Sequence, residues 1–238
     1  MTEPAQLRHD MVEHQLRGRG IRDRAVLAAM GAVPREEFVA PALAPHAYDD
    51  GPLEIGHDQT ISQPYIVALM AEALGPCPGE RVLEIGTGCG YAAAVLGRLV
   101  EQVYTIERRP ELAASAVRRL ERLGARNVRV RCGDGTLGWP EQAPFDAILV
   151  SAAGPHVPAA LLDQLEIGGS LVMPVDTPRG QHLVRITRLP DGELRREELG
   201  SVVFVPLIGA QGYPETLDRQ PAIGELCVAG DRASAQGD

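Results

Sequence analysis

Hydrophobic positions in the middle of the chain fall into short continuous runs separated by segments of helical period. The runs are RVLEI at 81–85, VYTIE at 103–107, VRVRC at 128–132, DAILVS at 146–151 and SLVMPV at 170–175. Helices are expected at about 91–99, 110–123 and 158–165. Short apolar runs separated by helices belong to a parallel sheet covered on both faces, an open α/β fold whose ligand sites lie beyond the carboxyl ends of the strands. After Gly180 the runs HLVRITRL and SVVFVPL follow one another with no helix between them, which predicts antiparallel edge strands.

Ahead of the sheet, residues 10–40 read as two short helices. Asp23 caps the second, Val26, Leu27 and Met30 stripe it, and Pro34 closes it. Residues 41–63 are rich in Pro, Gly and Asp and show no periodicity, so a long loop is expected, and loops of that length inside a compact domain are usually functional. From Gln63 the chain turns helical, with Ile66, Leu69, Met70, Ala73 and Leu74 on one face, until GPCPGE ends the helix. Beyond Tyr213 the chain is polar, small and weakly patterned. No internal repeat or second domain is visible, so the expected organisation is one domain over 1–213, in the parts 1–63, 64–176 and 177–213, followed by an extension over 214–238.

Composition narrows the class. A chain of 238 residues that is 45% hydrophobic can bury a substantial core. The N-terminus MTEPAQLRHDMVEHQ lacks the basic start and apolar run of a signal peptide, and no stretch approaches the roughly 18 apolar residues of a membrane span, so a soluble cytoplasmic protein is expected. A net charge of −9 opposes phosphate backbones and anionic lipid, and the arginines at 17–24 and 118–131 lie among acids, so neither nucleic acid nor membrane is an expected partner. Cys77, Cys89, Cys132 and Cys227 are scattered without a CxxC pair, which fits neither a disulfide framework nor a metal site.

LEIGTGCGYAAAVLG, residues 83–97, is a strand, a glycine turn and a helix. A dinucleotide fingerprint needs Gly or Ala at the position that Tyr91 occupies, so the NAD pattern fails there. With Glu84 at the strand end ahead of Gly86, Thr87, Gly88 and Gly90, the segment resembles the first motif of S-adenosylmethionine-dependent methyltransferases. That cofactor carries a sulfonium, an ammonium and a carboxylate instead of a pyrophosphate, which suits acids beside a closely approaching backbone. Glu107 ends the next strand, where a carboxylate can accept ribose hydroxyls in doubly wound folds. Asp134 and Gly135 end the third strand and would flank the adenine, the alternative being an Asp-Gly turn. For Glu84 the alternative is a solvated strand end.

Six segments, the glycine loop among them, sharpen the resemblance: MVEHQLRGRGIRD, VPREEFV, IGHDQTISQPYIVALM, VLEIGTGCGYAAAVL, GDGTLGWPEQAPFD and FVPLIGAQG, in that order and spanning most of Met11 to Tyr213. Together they resemble the protein-L-isoaspartate O-methyltransferase family. TISQPY and GDG..GWP carry the specificity, since the glycine loop is common to many methyltransferases. VSAAG at 150–154 departs from the family's more frequent threonine, and the chain extends past the family's usual end.

The resemblance implies a single-domain, Rossmann-like, doubly wound and mostly parallel sheet with antiparallel edge strands and N-terminal helices. It implies methyl transfer from S-adenosyl-L-methionine to the free α-carboxylate of L-isoaspartyl residues in damaged proteins and peptides, which starts repair through a succinimide. The alternative is a carboxyl methyltransferase dedicated to one peptide or small-molecule acid. Cofactor contacts are expected from Glu84, Gly86, Thr87, Gly88, Gly90, Glu107, Asp134 and Gly135, in a monomeric enzyme without metal. By resemblance Ser62 of the SQP segment is the active-site residue, whereas on the residues alone a serine two positions before a proline at a helix start is a cap. His57 and His156 are candidate bases in loops, against a role as solvated loop histidines. SAAG after the fourth strand and VPLIG near the end would shape the peptide cleft.

Overall fold

The alternation of apolar runs and helices becomes one seven-stranded sheet in the computed structural model, which describes residues 3–216. Strands β3 (Arg81–Ile85), β4 (Gln102–Glu107), β5 (Val128–Cys132), β6 (Phe145–Val150) and β7 (Leu165–Thr177) run parallel. β8 (Gly180–Arg188) and β9 (Leu194–Ser201) add an antiparallel meander, giving the order β5-β4-β3-β6-β7-β8-β9. Successive connections go to opposite sides of β3, so the switch point of this Rossmann-like sheet lies between β3 and β6, where such folds hold ligands.

Side-chain alternation along the central strands fills two cores. Val82 joins the cluster on one face, while Leu83 and Ile85 join the cluster on the other. The first face is covered by α2 (Arg24–Ala32), α3 (Pro64–Leu74), α4 (Tyr91–Leu96) and α5 (Pro110–Arg122), with Met30, Val67, Met70, Tyr91, Ala116 and Leu120 inside. On α5 the buried Leu112, Ala113, Ala116 and Leu120 recur at helical spacing. α6 (Ala159–Asp163) packs Leu161 into the second core. Asp23 caps α2 as its position suggested, its carboxylate accepting the Val26 N–H at 2.9 Å. Ahead of α2, helix α1 (Glu3–Asp10) runs without a break into a π-helical turn over Met11–Leu16, which buries Met11, Val12 and Leu16.

The structure departs from the sequence-based expectation at three places. Residues 41–63 are not a featureless loop: they hold a 3-10 segment, Pro41–His46, and a hairpin of β1 (Leu53–Gly56) and β2 (Gln59–Ile61). The expected edge strand SVVFVPL is displaced; β8 instead pairs with the polar run Leu194–Ser201 through a tight turn, and residues 202–208 make only single bridges, such as Ala153 with Pro206. An edge strand needs no apolar face, and β9 is exposed along most of its length. The helix expected over 91–99 ends at Leu96. Most of the extension beyond Tyr213 lies outside the described residues.

Candidate active site

A cleft with about 930 Å³ of empty space, open in part to solvent, lies across the carboxyl ends of the central strands. One wall belongs to the sheet, with Gly86, Thr87, Gly88, Glu107, Gly135 and Ser151. The facing wall comes from the hairpin and the segments beside it, with Gln59, Thr60, Ser62, Val67, Pro206 and Ile208.

The glycine loop is held by its neighbours on β4. The Gly86 N–H donates to the Ile106 carbonyl at 2.9 Å, and the Gly88 N–H donates to Glu107 Oε2 at 2.8 Å. Gly88 has φ +54°, and a Cβ there would sit 3.2 Å from Ile55 Cδ1 on the hairpin, so the glycine admits both the left-handed turn and the close approach of the lid. Glu107 Oε1 accepts the Arg109 N–H at 3.0 Å. An ionised carboxylate has about four acceptor sites. Two backbone bonds therefore fix Glu107 at the edge of the cleft while leaving lone pairs for ligand hydroxyls.

Two of the expected acids take other positions. Glu84 follows the period of Val82 onto the helix-covered face, is 0% exposed and does not reach the cleft wall. Its Oε2 accepts the Thr105 hydroxyl at 2.5 Å, and Thr105 Oγ1 lies 2.6 Å from Thr87 Oγ1. Glu84 Oε1 has no hydrogen-bond partner among the described residues. Burial, with a smaller push from the Glu107 charge, raises the Glu84 carboxyl to about 8, against the opposing effect of the Thr105 bond. Asp134 is also off the wall: Oδ1 accepts the Thr136 N–H at 2.8 Å and the Thr136 hydroxyl at 2.7 Å, and Oδ2 accepts the Ala210 N–H at 2.7 Å. It caps the turn that puts Gly135 on the wall and ties that turn to the VPLIGAQG segment. Gly90 starts α4 behind the loop at φ +92°.

Ser62 lies on the wall opposite the glycine loop and is half-buried. It does not cap α3. The N-cap position is Gln63, which makes no side-chain capping bond, and the Ser62 hydroxyl has no hydrogen-bond partner among the described residues. Gln63 Nε2 instead donates to Asp50 Oδ1 at 2.7 Å, Arg19 pairs with Asp50 at 3.0 Å, and the Arg19 guanidinium stacks 3.8 Å above the Tyr65 ring. This exposed network moors the Ser62 backbone from outside. His57 is exposed at the hairpin turn, where it and Asp58 take φ +56° and +55°, and His156 is exposed; neither lines the cleft.

No local pattern marks the support beneath the loop. Arg35 of VPREEFV is 0% exposed, donates from Nε to the Ala47 carbonyl at 2.7 Å and sits 4.9 Å from the ring centre of Tyr91. Burial holds its pKa below the ordinary value. Arg119 donates to the Cys89 carbonyl at 2.8 Å. Thr105 was missed as well, whereas Ser151 belongs to the SAAG segment and lines the cleft. Thr105 could be found only once its register opposite Glu84 was known. Among the described residues no group of His, Cys, Asp and Glu is placed to hold a metal ion, and no helix is long and apolar enough to cross a membrane.

The family model for protein-L-isoaspartate(D-aspartate) O-methyltransferase (PCMT) matches residues 6–212. A Methylorubrum extorquens protein-L-isoaspartate O-methyltransferase is 59% identical over 212 residues, 89% of this chain and 92% of that protein. A Marinobacter nauticus protein-L-isoaspartate O-methyltransferase 2 is 58% identical over 209 residues, 87% of this chain and 95% of that one. Among solved structures, a protein-L-isoaspartate O-methyltransferase superposes with a TM-score of 0.78 at 33% identity, over 86% of this chain and 67% of that chain. A Plasmodium falciparum structure described as a beta-aspartate methyltransferase in complex with S-adenosyl-L-homocysteine gives 0.73 at 27% identity, over 84% and 98%.

Proposed function

This chain belongs to the protein-L-isoaspartate(D-aspartate) O-methyltransferase family, and on that premise we propose how its residues divide the work. The enzyme methylates the free α-carboxylate of L-isoaspartyl residues in damaged proteins and peptides, using S-adenosyl-L-methionine. The ester is a better leaving group than the carboxylate, so the neighbouring amide nitrogen can displace it to a succinimide, whose hydrolysis returns some normal aspartate.

The residues present suit that cofactor. Glu107 keeps free lone pairs for ribose hydroxyls, Gly86 and Gly88 leave backbone on the cleft lining, and Thr87 of the same loop is joined through Thr105 to a buried carboxyl that lacks a partner on one oxygen. When bound, the cofactor supplies an electrophilic methyl group on a sulfonium. Gly86, Thr87, Gly88 and Gly135 form the surface against which it rests. Gly90, Glu84 and Asp134 act one layer behind, through the loop and turn that they hold.

The acceptor needs no catalytic base. An α-carboxyl titrates near pH 3.5 and is ionised at pH 7. The protein has to exclude water and hold the carboxylate in line, an effect that can contribute roughly 7 to 11 kcal/mol. We assign that positioning to Ser62. The observation that carries the assignment is its unpartnered hydroxyl on the wall facing the glycine loop, free to donate to a carboxylate oxygen.

We propose a monomeric, cytoplasmic enzyme, and the net charge of −9 with the mixed-sign arginine clusters supports one that does not engage nucleic acid. We also assign residues 1–213 to one methyltransferase domain and 214–238 to an extension, in keeping with the family match over 6–212.

The test of substrate choice is labelled methyl transfer to matched peptides that carry isoaspartyl or aspartyl at one position. Isoaspartyl places its carboxylate one carbon nearer the backbone, and a misplacement of about 1 Å can cost roughly a hundredfold in rate. A preference of that order for isoaspartyl, with little dependence on flanking sequence, is expected. Equal methylation of both peptides would contradict the substrate assignment, and activity on a single flanking sequence would favour a dedicated peptide.

A further inference from the structure

Glu84 is a carboxyl with no exposed surface, one oxygen without a partner, and a two-hydroxyl connection to Thr87, a residue of the cleft lining. The connection has a direction that depends on the proton. With Glu84 neutral and its proton on Oε2, the carboxyl donates to Thr105, Thr105 donates to Thr87, and the Thr87 hydrogen is released from the pair. With Glu84 ionised, Thr87 donates to Thr105, Thr105 donates to Oε2, and Thr87 keeps only lone pairs for any other partner. The hydroxyl pair thus converts a buried charge state into a choice between donor and acceptor at the cofactor wall.

We propose that Glu84 gives up a proton when the positively charged cofactor enters the cleft, and that Thr105 and Thr87 turn this into an acceptor facing the ligand. The inference rests on the cofactor assignment above and extends it to the charge state of the site. Entry of a cation into a site of low dielectric favours the ionised form of a nearby carboxyl. The proton passes along the hydroxyl pair to solvent, and no bond to carbon or sulfur is involved.

The surroundings leave Glu84 ready for that change. Burial and the Glu107 charge on β4 hold the carboxyl at about 8 in the ligand-free protein. β6 presents Leu149 in register opposite it. The helices over that face contribute Val67 and Met70 from α3 and the Tyr91 phenol from α4, which burial pushes up to about 12 and which is therefore neutral at pH 7. The buried Arg35 acts on Tyr91 and Cys89. A group at about 8 is mostly protonated at pH 7, and that proton is available for release.

Titration calorimetry of the full chain with S-adenosylmethionine at pH 7, in two buffers of different ionisation enthalpy, counts the protons exchanged on binding. The ligand's own amine, with an ordinary value near 7.7 to 8.0, contributes equally in both proteins compared. The wild type is expected to release close to one proton more than Glu84→Gln. For the wild type, Kd should fall up to tenfold per pH unit as pH rises toward 8, beyond the trend shown by the variant. Equal proton counts in the two proteins would overturn the inference while leaving the cofactor assignment standing, whereas no binding of S-adenosylmethionine would overturn both. If Glu84→Gln does not fold, difference infrared spectroscopy of the wild type decides: a protonated-carboxyl band that disappears on cofactor addition supports the inference, and an unchanged band overturns it.

Discussion

The two walls of the cleft are built on opposite plans. The sheet wall is backbone held by fixed acceptors: the Gly86 N–H reaches the Ile106 carbonyl on β4, the Gly88 N–H reaches the Glu107 carboxylate, and the Asp134 carboxylate caps the turn that positions Gly135. The facing wall stands on a hairpin of two short strands and on an exposed network of Arg19, Asp50 and Gln63, and the Ser62 hydroxyl, proposed to position the acceptor, makes no internal bond. A wall that always meets the same cofactor gains from complete preorganisation. A wall that meets damaged residues in many sequence contexts needs one well-placed donor and few fixed contacts around it.

Substitutions can break this division, starting where the effect is largest. Glu107→Ala removes the acceptor of the Gly88 and Arg109 N–H groups together with the assigned ribose contact. Loss of charge-assisted bonds worth about 1.5 to 3 kcal/mol should raise the Kd for S-adenosylmethionine about 10- to 150-fold, measured by calorimetry, with a much smaller change in turnover at saturating cofactor. Gly135→Ala forces a Cβ against Ile85 in the second core. An overpacking cost of about 1 to 3 kcal/mol should lower the melting temperature by about 2 to 12 °C in a thermal scan.

Glu84→Gln sharpens the contrast through pH. The folded-state value of about 8 lies above the ordinary 4.5, so the wild type is favoured by its bound proton below about 4.5 and loses that stability as pH rises through about 8. The melting temperature of the variant should therefore gain on the wild type between pH 5 and 8 and stay level above that. The smallest effect is expected outside the cleft. Asp50→Ala breaks an exposed pair contributing at most about 1 kcal/mol, so KM for an isoaspartyl peptide should rise no more than about fivefold, with the cofactor Kd unchanged.

The same contrast governs what the sequence made legible. The central parallel strands β3, β4 and β6 were visible because both faces are buried and the apolar runs are continuous, as in RVLEI and DAILVS. The hairpin was hidden: β1 alternates half-buried with exposed positions, β2 is three residues long, and the turn uses His57 and Asp58 in left-handed conformations where Asn-Gly would have signalled it. SVVFVPL carries a strand's composition without a strand's pairing, and the polar β9 has the pairing without the composition.

Within the site, the glycine loop and Glu107 could be placed from order along the chain alone. Glu84 and Asp134 resemble cofactor acids in sequence, yet the period of β3 turns one inward and the capping of the next turn occupies the other. Arg35 and Thr105 act only through residues distant in sequence, Tyr91 and Glu84, and no local pattern marks them.

The central claim is that the sheet wall binds the cofactor and Ser62 serves the acceptor. Ser62→Ala tests it most directly when turnover on a saturating isoaspartyl peptide and the Kd for S-adenosylmethionine are measured on the same preparation. Loss of the positioning hydroxyl should lower kcat roughly a hundredfold and leave Kd within about twofold, a change under about 0.5 kcal/mol. An unchanged kcat, or a loss of cofactor affinity as large as the loss of turnover, would contradict the division.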